Sequence, residues 1–113
     1  MEELIFRKRL PQTAIDCRLC IPTKTLQMFP PFADRRDVQT LIVQDMEEEG
    51  ILWNLDLYIQ PEGHPKPVVA GQWIDFVRRK QLRAGDGIIF YRIMDANGEV
   101  NYQMRPFRNF MGD

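Results

Sequence analysis

Over the first half of the chain, apolar residues recur mostly at every second position. Leu4, Phe6, Lys8 and Leu10 alternate with Ile5, Arg7 and Arg9, and a period of two predicts a strand with one partly basic face. Pro11 ends that strand, and Gln12 to Asp16 reads as a polar connection. Arg18 to Ile21 is a second short strand, stopped by Pro22, which also suits the start of a helical turn over Thr23 to Phe29. Leu26 and Phe29 form an i, i+3 apolar pair there, before Pro30 and Pro31 terminate the turn. After a charged loop, alternation resumes over Gln39 to Asp45, with Leu41 and Val43 on one side. It resumes again over Ile51 to Ile59, where Ile51, Trp53, Leu55, Leu57 and Ile59 share a face. The acidic Met46 to Gly50 segment between these two runs is a hairpin connection.

Between Gly71 and Arg92 the period changes. Trp73, Phe76 and Val77 fall at i, i+3, i+4 spacing and predict one face of a helix. Arg78, Arg79 and Lys80 crowd its last turn, where positive charge complements the carbonyl end of the helix dipole. Arg83 to Gly87 has turn chemistry, and Ile88 to Tyr91 is a strand rich in β-branched and aromatic residues. Before the helix lie an irregular loop, Gln60 to Pro67, and a short strand at Val68 and Val69. After Arg92, Asp95 to Gly98 is a turn and Val100, Tyr102 and Met104 alternate as a last strand; Arg105 to Asp113 reads as a tail that docks through Phe107 and Phe110. Seven short strands with close turns and two short helices predict a mainly β chain, a closed or nearly closed sheet with helices plugging its ends.

The chain has 113 residues, 44% of them hydrophobic, enough for a single core. The expected organisation is one domain, with a core over about residues 4–105 and a tail over 106–113. No apolar run approaches the roughly 20 residues of a membrane span, and the N-terminus lacks a signal-peptide pattern, so a soluble intracellular protein, or a domain excised from a larger one, is expected. A net charge of −1 argues against a blanket polyanion-binding surface but leaves room for a local basic patch. Cys17 and Cys20 are the only cysteines; three apart on a strand they face opposite sides, so reduced thiols are expected. His64 is the only histidine, too few ligands for zinc. There is no nucleophile spaced with a histidine and a carboxylate, and no phosphate-cradling glycine loop, so neither an enzyme nor a cofactor or small-molecule site is expected. Asp45 with Glu47, Glu48 and Glu49 reads as a solvated hairpin tip. Arg78, Arg79, Lys80 and Arg83 read as a nucleic-acid contact or, with better reason, as the solvated face of a covering helix. Trp53 and Trp73 belong to apolar stripes and read as core.

Two irregular connections carry polar residues suited to binding. Gln12 to Arg18 offers Thr13 and Arg18, with Lys8 before it and Lys24 after it, and Gln60 to Lys66 offers Gln60, His64 and Lys66 on a proline-stiffened loop. Loops held by a rigid sheet are where binding residues concentrate.

The pieces FRKRL, RLCIP, MFPPF, LIVQD, GILW and QWIDFVRRKQLRAGDGIIFYR, in this order, resemble the plant B3-type DNA-binding domain. The final block is similar to that family's G-W-x-x-F-V…L-x-x-G-D-x-x-x-F signature, with Gln72 inserted between the glycine and the tryptophan. FPP followed by LIVQD resembles auxin response factors, and the N-terminal arm looks more like the reproductive-meristem type; the likeness spans about residues 5–93. It implies an open seven-stranded pseudo-barrel with two short helices, the recognition domain of a nuclear plant transcription factor that binds double-stranded DNA. Other transcription regulators are a second implied class of partner. Two arms would grip the major groove: Gln12 to Arg18, flanked by Lys8 and Lys24, and Gln60 to Lys66.

The chain also departs from that pattern. Its first arm reads TAIDCR where auxin response factors carry a His-Gly-Gly run, Asp56 stands where relatives often place a basic residue, and Glu62 lies beside His64. These acids define the alternative, a B3-fold protein-interaction module with weakened DNA arms. A third reading, the recognition domain of a restriction enzyme with the same barrel, requires a nuclease domain besides this one.

Overall fold

The computed structural model describes residues 2–32, 38–60 and 66–108. Its strands are β1 (Glu2–Arg9), β2 (Leu19–Cys20), β3 (Gln39–Asp45), β4 (Leu52–Gln60), β5 (Lys66–Gly71), β6 (Gly87–Met94) and β7 (Val100–Phe107). They form one seven-stranded sheet in the order β1-β6-β7-β3-β4-β5-β2. β3 and β7 run parallel, and every other pair is antiparallel. The edge strands share no ladder, but Lys8 Nζ on β1 donates to the Cys20 carbonyl of β2 at 2.6 Å. That single bond bridges the seam of an open pseudo-barrel.

The alternation read from the sequence is the alternation of burial. Leu41 and Val43 on β3, Trp53, Leu55 and Leu57 on β4, and Ile88, Phe90 and Met104 on β6 and β7 line the core. Phe6 stacks on Phe90 with ring centroids 4.9 Å apart, which carries β1 into the same interior. Cross-strand pairing lengthens several strands beyond their apolar runs. β5 extends to Lys66–Gly71, and β7 continues through Phe107, so Arg105, Pro106 and Phe107 are strand rather than tail. Ladder hydrogen bonds hold these residues whatever their side chains: Arg105 pairs with Ile89 and Phe107 with Gly87.

Among the described residues there are three helical segments, not two. α2 (Trp73–Lys80) buries Trp73, Phe76 and Val77, and the 3₁₀ helix Thr23–Met28 touches both β1 and β5. The third, α1 (Gln12–Asp16), corrects the polar connection expected there. Pro11 opens it, Ala14 is buried in it, and Ile15 packs against the core. With only those two apolar residues the segment is too short to show a helical period. The Gln72 insertion has a plain role. Gly71 takes φ +70° and lies so close to β4 that a Cβ there would meet the Asn54 carbonyl at 2.9 Å. Gln72 then pairs with Asn54 twice: its side-chain oxygen accepts the Asn54 N–H at 2.7 Å and its own N–H donates to the Asn54 carbonyl at 2.9 Å.

Candidate nucleic-acid interface

Leu19, Leu55, Leu57 and Val69 face the core. Strand alternation therefore puts their neighbours on the opposite face of the sheet: Cys20 on β2, Asp56, Tyr58 and Gln60 on β4, and Lys66, Val68 and Ala70 on β5, with Val68 itself fully buried. Leu19 pairs with Val69 and Cys20 with Val68, while Gln60 pairs with Lys66. Extending that register by one residue sets Arg18, next to Leu19, toward the Ala70 end of β5, and Lys66 stands at the other end. Four residues of strand, about 13 Å, separate them.

The first connection leaves this face at the Arg18 end. Thr13 and Gln12 are exposed on α1, and the Thr13 carbonyl accepts the N–H groups of Cys17 and Arg18 at 2.9 and 3.2 Å. Gln12 Nε2 lies 3.2 Å from both Asp16 oxygens, so the one acid of this arm is partly occupied. α1 is anchored from beneath, since Trp73 Nε1 donates to the Ala14 carbonyl at 2.7 Å. Gln60 and Lys66 frame the second connection; His64 and Glu62 lie outside the described residues.

Lys24 is exposed on the 3₁₀ helix, which follows β2 and touches both β1 and β5; the Ile21 N–H just before it donates to the Pro67 carbonyl at 3.1 Å. Lys8 is half-buried at the seam with its ammonium on the Cys20 carbonyl. Of the expected residues, Thr13 and Arg18 belong to the first connection, Gln60 and Lys66 pair across the base of the second, Lys24 is on the 3₁₀ helix and Lys8 is at the seam. Asp56 stands on the same outer face, where Thr40 Oγ1 donates to it at 3.3 Å.

The charges of α2 and the β3–β4 hairpin have a different task. Lys80 is buried, with its ammonium 2.9 Å from Asp45, 3.2 Å from Glu47 and 2.9 Å from Glu48. Arg79 forks onto the Glu48 carboxylate at 2.6 and 2.8 Å. Asp45, also buried, further accepts the Trp53 indole N–H at 3.0 Å and the N–H groups of Glu47 and Glu48. Burial alone would raise the Asp45 pKa, but these donors outweigh it and hold the carboxyl below its ordinary value. Arg79 and Lys80 draw Glu48 down to about 2. The acidic tip is thus not simply solvated, and it pairs with two of the three cations in the last turn of α2. Among the described residues no cluster of metal-ligating side chains occurs, and no helix is long and apolar enough to cross a membrane.

The fold has known counterparts. An Arabidopsis FUS3–DNA complex superposes with a TM-score of 0.75 at 19% identity, covering 94% of this chain and 98% of that one. The Arabidopsis thaliana transcription factor LEC2–DNA complex matches with a TM-score of 0.70 at 14% identity, covering 90% and 92%. The B3 domain of UbaLAI restriction endonuclease with cognate DNA matches at 0.61 and 15% identity, covering 88% of this chain and 64% of that one. No protein-family model matches the sequence, nor does any curated protein. The chain has the B3-type pseudo-barrel fold.

Proposed function

We propose that this domain binds double-stranded DNA through the outer face of β2, β5 and β4 and the two connections at its ends. The observation that carries the reading is the register that pairs Leu19 of β2 with Val69 and Gln60 of β4 with Lys66: Arg18, next to Leu19, and Lys66 then fall toward opposite ends of β5, about 13 Å apart along the strand. That spacing is commensurate with a major groove about 12 Å wide. Arg18 can fork onto guanine O6 and N7, Gln60 can read adenine, and Lys24 and Lys66 can meet phosphates. The reading is supported by the fold it shares with FUS3, LEC2 and UbaLAI, each solved with DNA. Pairing of Arg79 and Lys80 with the acidic hairpin supports it too, because it removes those two cations as the competing nucleic-acid contact. His64 belongs to the same proposal as a second-arm contact. The biological setting that follows is the nucleus, with the domain as the recognition module of a plant transcription regulator.

A second reading has its own observation. Asp56 lies on the proposed face, and Val38, Ile42 and Leu52 are more than half exposed nearby. A protein-interaction module would use these apolar residues, and a carboxylate there opposes phosphate. Titrating the domain against a pool of random duplexes at several salt concentrations separates the two. Selective binding that weakens as salt rises supports the DNA reader and yields its motif; a folded protein that ignores DNA even at low salt supports the module.

A further inference from the structure

A second basic surface lies outside the arms, on the outer face of β1, β6 and β7. Arg7, Ile89 and Arg105 occupy one register row, and Arg9, Gly87 and Phe107 the next. The Phe107 ring lies flat over Gly87, so close that a Cβ there would fall 1.9 Å from the ring. The Arg7 guanidinium stands 4.3 Å from the ring centroid and that of Arg9 5.6 Å. Arg9 Nη1 also donates to the Gly85 carbonyl at 2.8 Å, and Arg105 reaches the Tyr91 hydroxyl at 3.5 Å. Ile89, between Arg7 and Arg105, is buried without belonging to the core, as expected where arginine stems lie across an apolar neighbour.

Among the described residues, none of these three arginines has a carboxylate partner, whereas Arg79, Lys80 and Arg92 all do. β1 feeds directly into the first connection, and Lys8 ties it to β2. The patch therefore adjoins the first arm across the β1–β2 seam.

We propose that Arg7, Arg9 and Arg105 form a phosphate-binding flank that takes the backbone of the same duplex beyond the arms; this rests on the DNA reading above. Arg7 and Arg9 are two residues apart on a strand, about 6.6 Å, and Arg7 and Arg105 are two strand spacings apart, about 9.6 Å. A duplex presents one negative charge for about every 1.7 Å of its axis, dense enough to meet all three cations at once. Such contacts position a protein without reading sequence, and Arg7 is already held by its aromatic partner. An acidic peptide fits less well. Tight peptide binding relies on an anchor in a desolvated pocket, and here the Phe107 ring is covered by Arg7 while Tyr91 turns its hydroxyl to Arg105.

The test compares the full chain with its Arg7→Gln/Arg105→Gln variant, leaving Arg9 on its carbonyl. Each is titrated on a duplex limited to the selected motif and on one extended well beyond it. On the extended duplex the variant should bind about tenfold more weakly, and its plot of log affinity against log salt should flatten by about 1–2 in slope. On the short duplex the two proteins should agree. Arg7→Lys/Arg105→Lys should retain most of the slope, which excludes a folding defect as the cause. Equal affinities and slopes on the extended duplex would overturn the flank and leave the arms as the whole interface, with the arginines only guarding an edge strand. Should the parent chain bind neither duplex, both the flank and the DNA reading fall. Capture of polyglutamate by the parent but not the variant, with DNA binding unchanged, would reassign the patch to an acidic protein.

Discussion

The indole N–H of Trp73 donates to the carbonyl of Ala14 at 2.7 Å, and both residues are buried. This bond joins the helix that closes the core to the helix at the base of the first arm. Trp73 also stacks on Phe76 at 5.6 Å, so the arm inherits its position from the best-packed part of the molecule. Trp73→Phe keeps an aromatic in place but strands the Ala14 carbonyl, which should cost about 1–3 kcal/mol. Trp73→Ala should cost about 3–5 kcal/mol. Denaturant unfolding measures both. Hydrogen exchange should also show the amides of Cys17 and Arg18 exchanging faster in Trp73→Phe than global stability predicts; uniform exchange would mean the bond does not hold the arm.

Arg18 and Lys66 define the proposed groove. Arg18→Glu with Lys66→Ala should weaken duplex binding at least tenfold, since one good bidentate base contact is worth roughly 1–3 kcal/mol. Neither residue belongs to the core, so the thermal midpoint should stay within a few degrees. Fluorescence anisotropy on the selected duplex measures the first effect and a thermal melt the second. A folded double variant with parental affinity would dismiss the two-arm assignment.

Much of this architecture was legible beforehand because local pattern and global burial agree. β3 begins and ends where alternation predicts, at Gln39 and Asp45, and α2 buries the three residues that its period selects. The failures are non-local. α1 is anchored by Trp73, 59 positions away from Ala14. Lys80 is buried by an acid 35 positions away, so its place in a basic run gave no sign of it. The parallel pairing of β3 with β7 follows from strand order, which alternation does not encode. Arg7 and Arg9 marked β1 as partly basic, yet their union with Arg105 around Phe107 needed the register.

The Asp45–Lys80 clamp should make the fold acid-labile. Asp45 and Glu48 have folded pKa values below their ordinary 3.8 and 4.5. Their stabilisation is therefore fully present above those ordinary values and is lost as pH falls through the lower folded ones. Lys80, raised above 10.5 by its acidic partners despite burial, contributes fully below that value and loses its share only as pH rises past it. Chemical denaturation should show stability nearly flat at neutral pH and falling from about pH 4.5 toward about 2. Asp45→Asn should reduce that acid slope; an unchanged slope would place the acid sensitivity elsewhere.

Lys80→Met tests the clamp from the other side. Removing one partner of a buried pair typically costs roughly 3–5 kcal/mol. The lower end is expected here, because Asp45 keeps the Trp53 indole and two backbone N–H groups. Lys80→Met combined with Asp45→Asn should cost less than the sum of the single changes, because neither variant then leaves an unpaired buried charge. Urea unfolding of the four proteins closes the cycle. Strict additivity would mean that the 2.9 Å contact adds nothing beyond its two halves.

Gly87 is required by its neighbour rather than by its backbone. It has no positive φ, so alanine fits the chain conformation, but its Cβ would collide with the Phe107 ring. Gly87→Ala should therefore displace Phe107 and cost about 1–3 kcal/mol, as overpacking does. Phe107→Ala removes the collision, so Gly87→Ala in that background should be close to neutral. The displaced ring would also withdraw the surface on which Arg7 rests at 4.3 Å. Gly87→Ala should then bind the extended duplex more weakly, while its affinity for the short one is unchanged. A Gly87→Ala protein as stable as the parent would mean that Phe107 is not seated against β6.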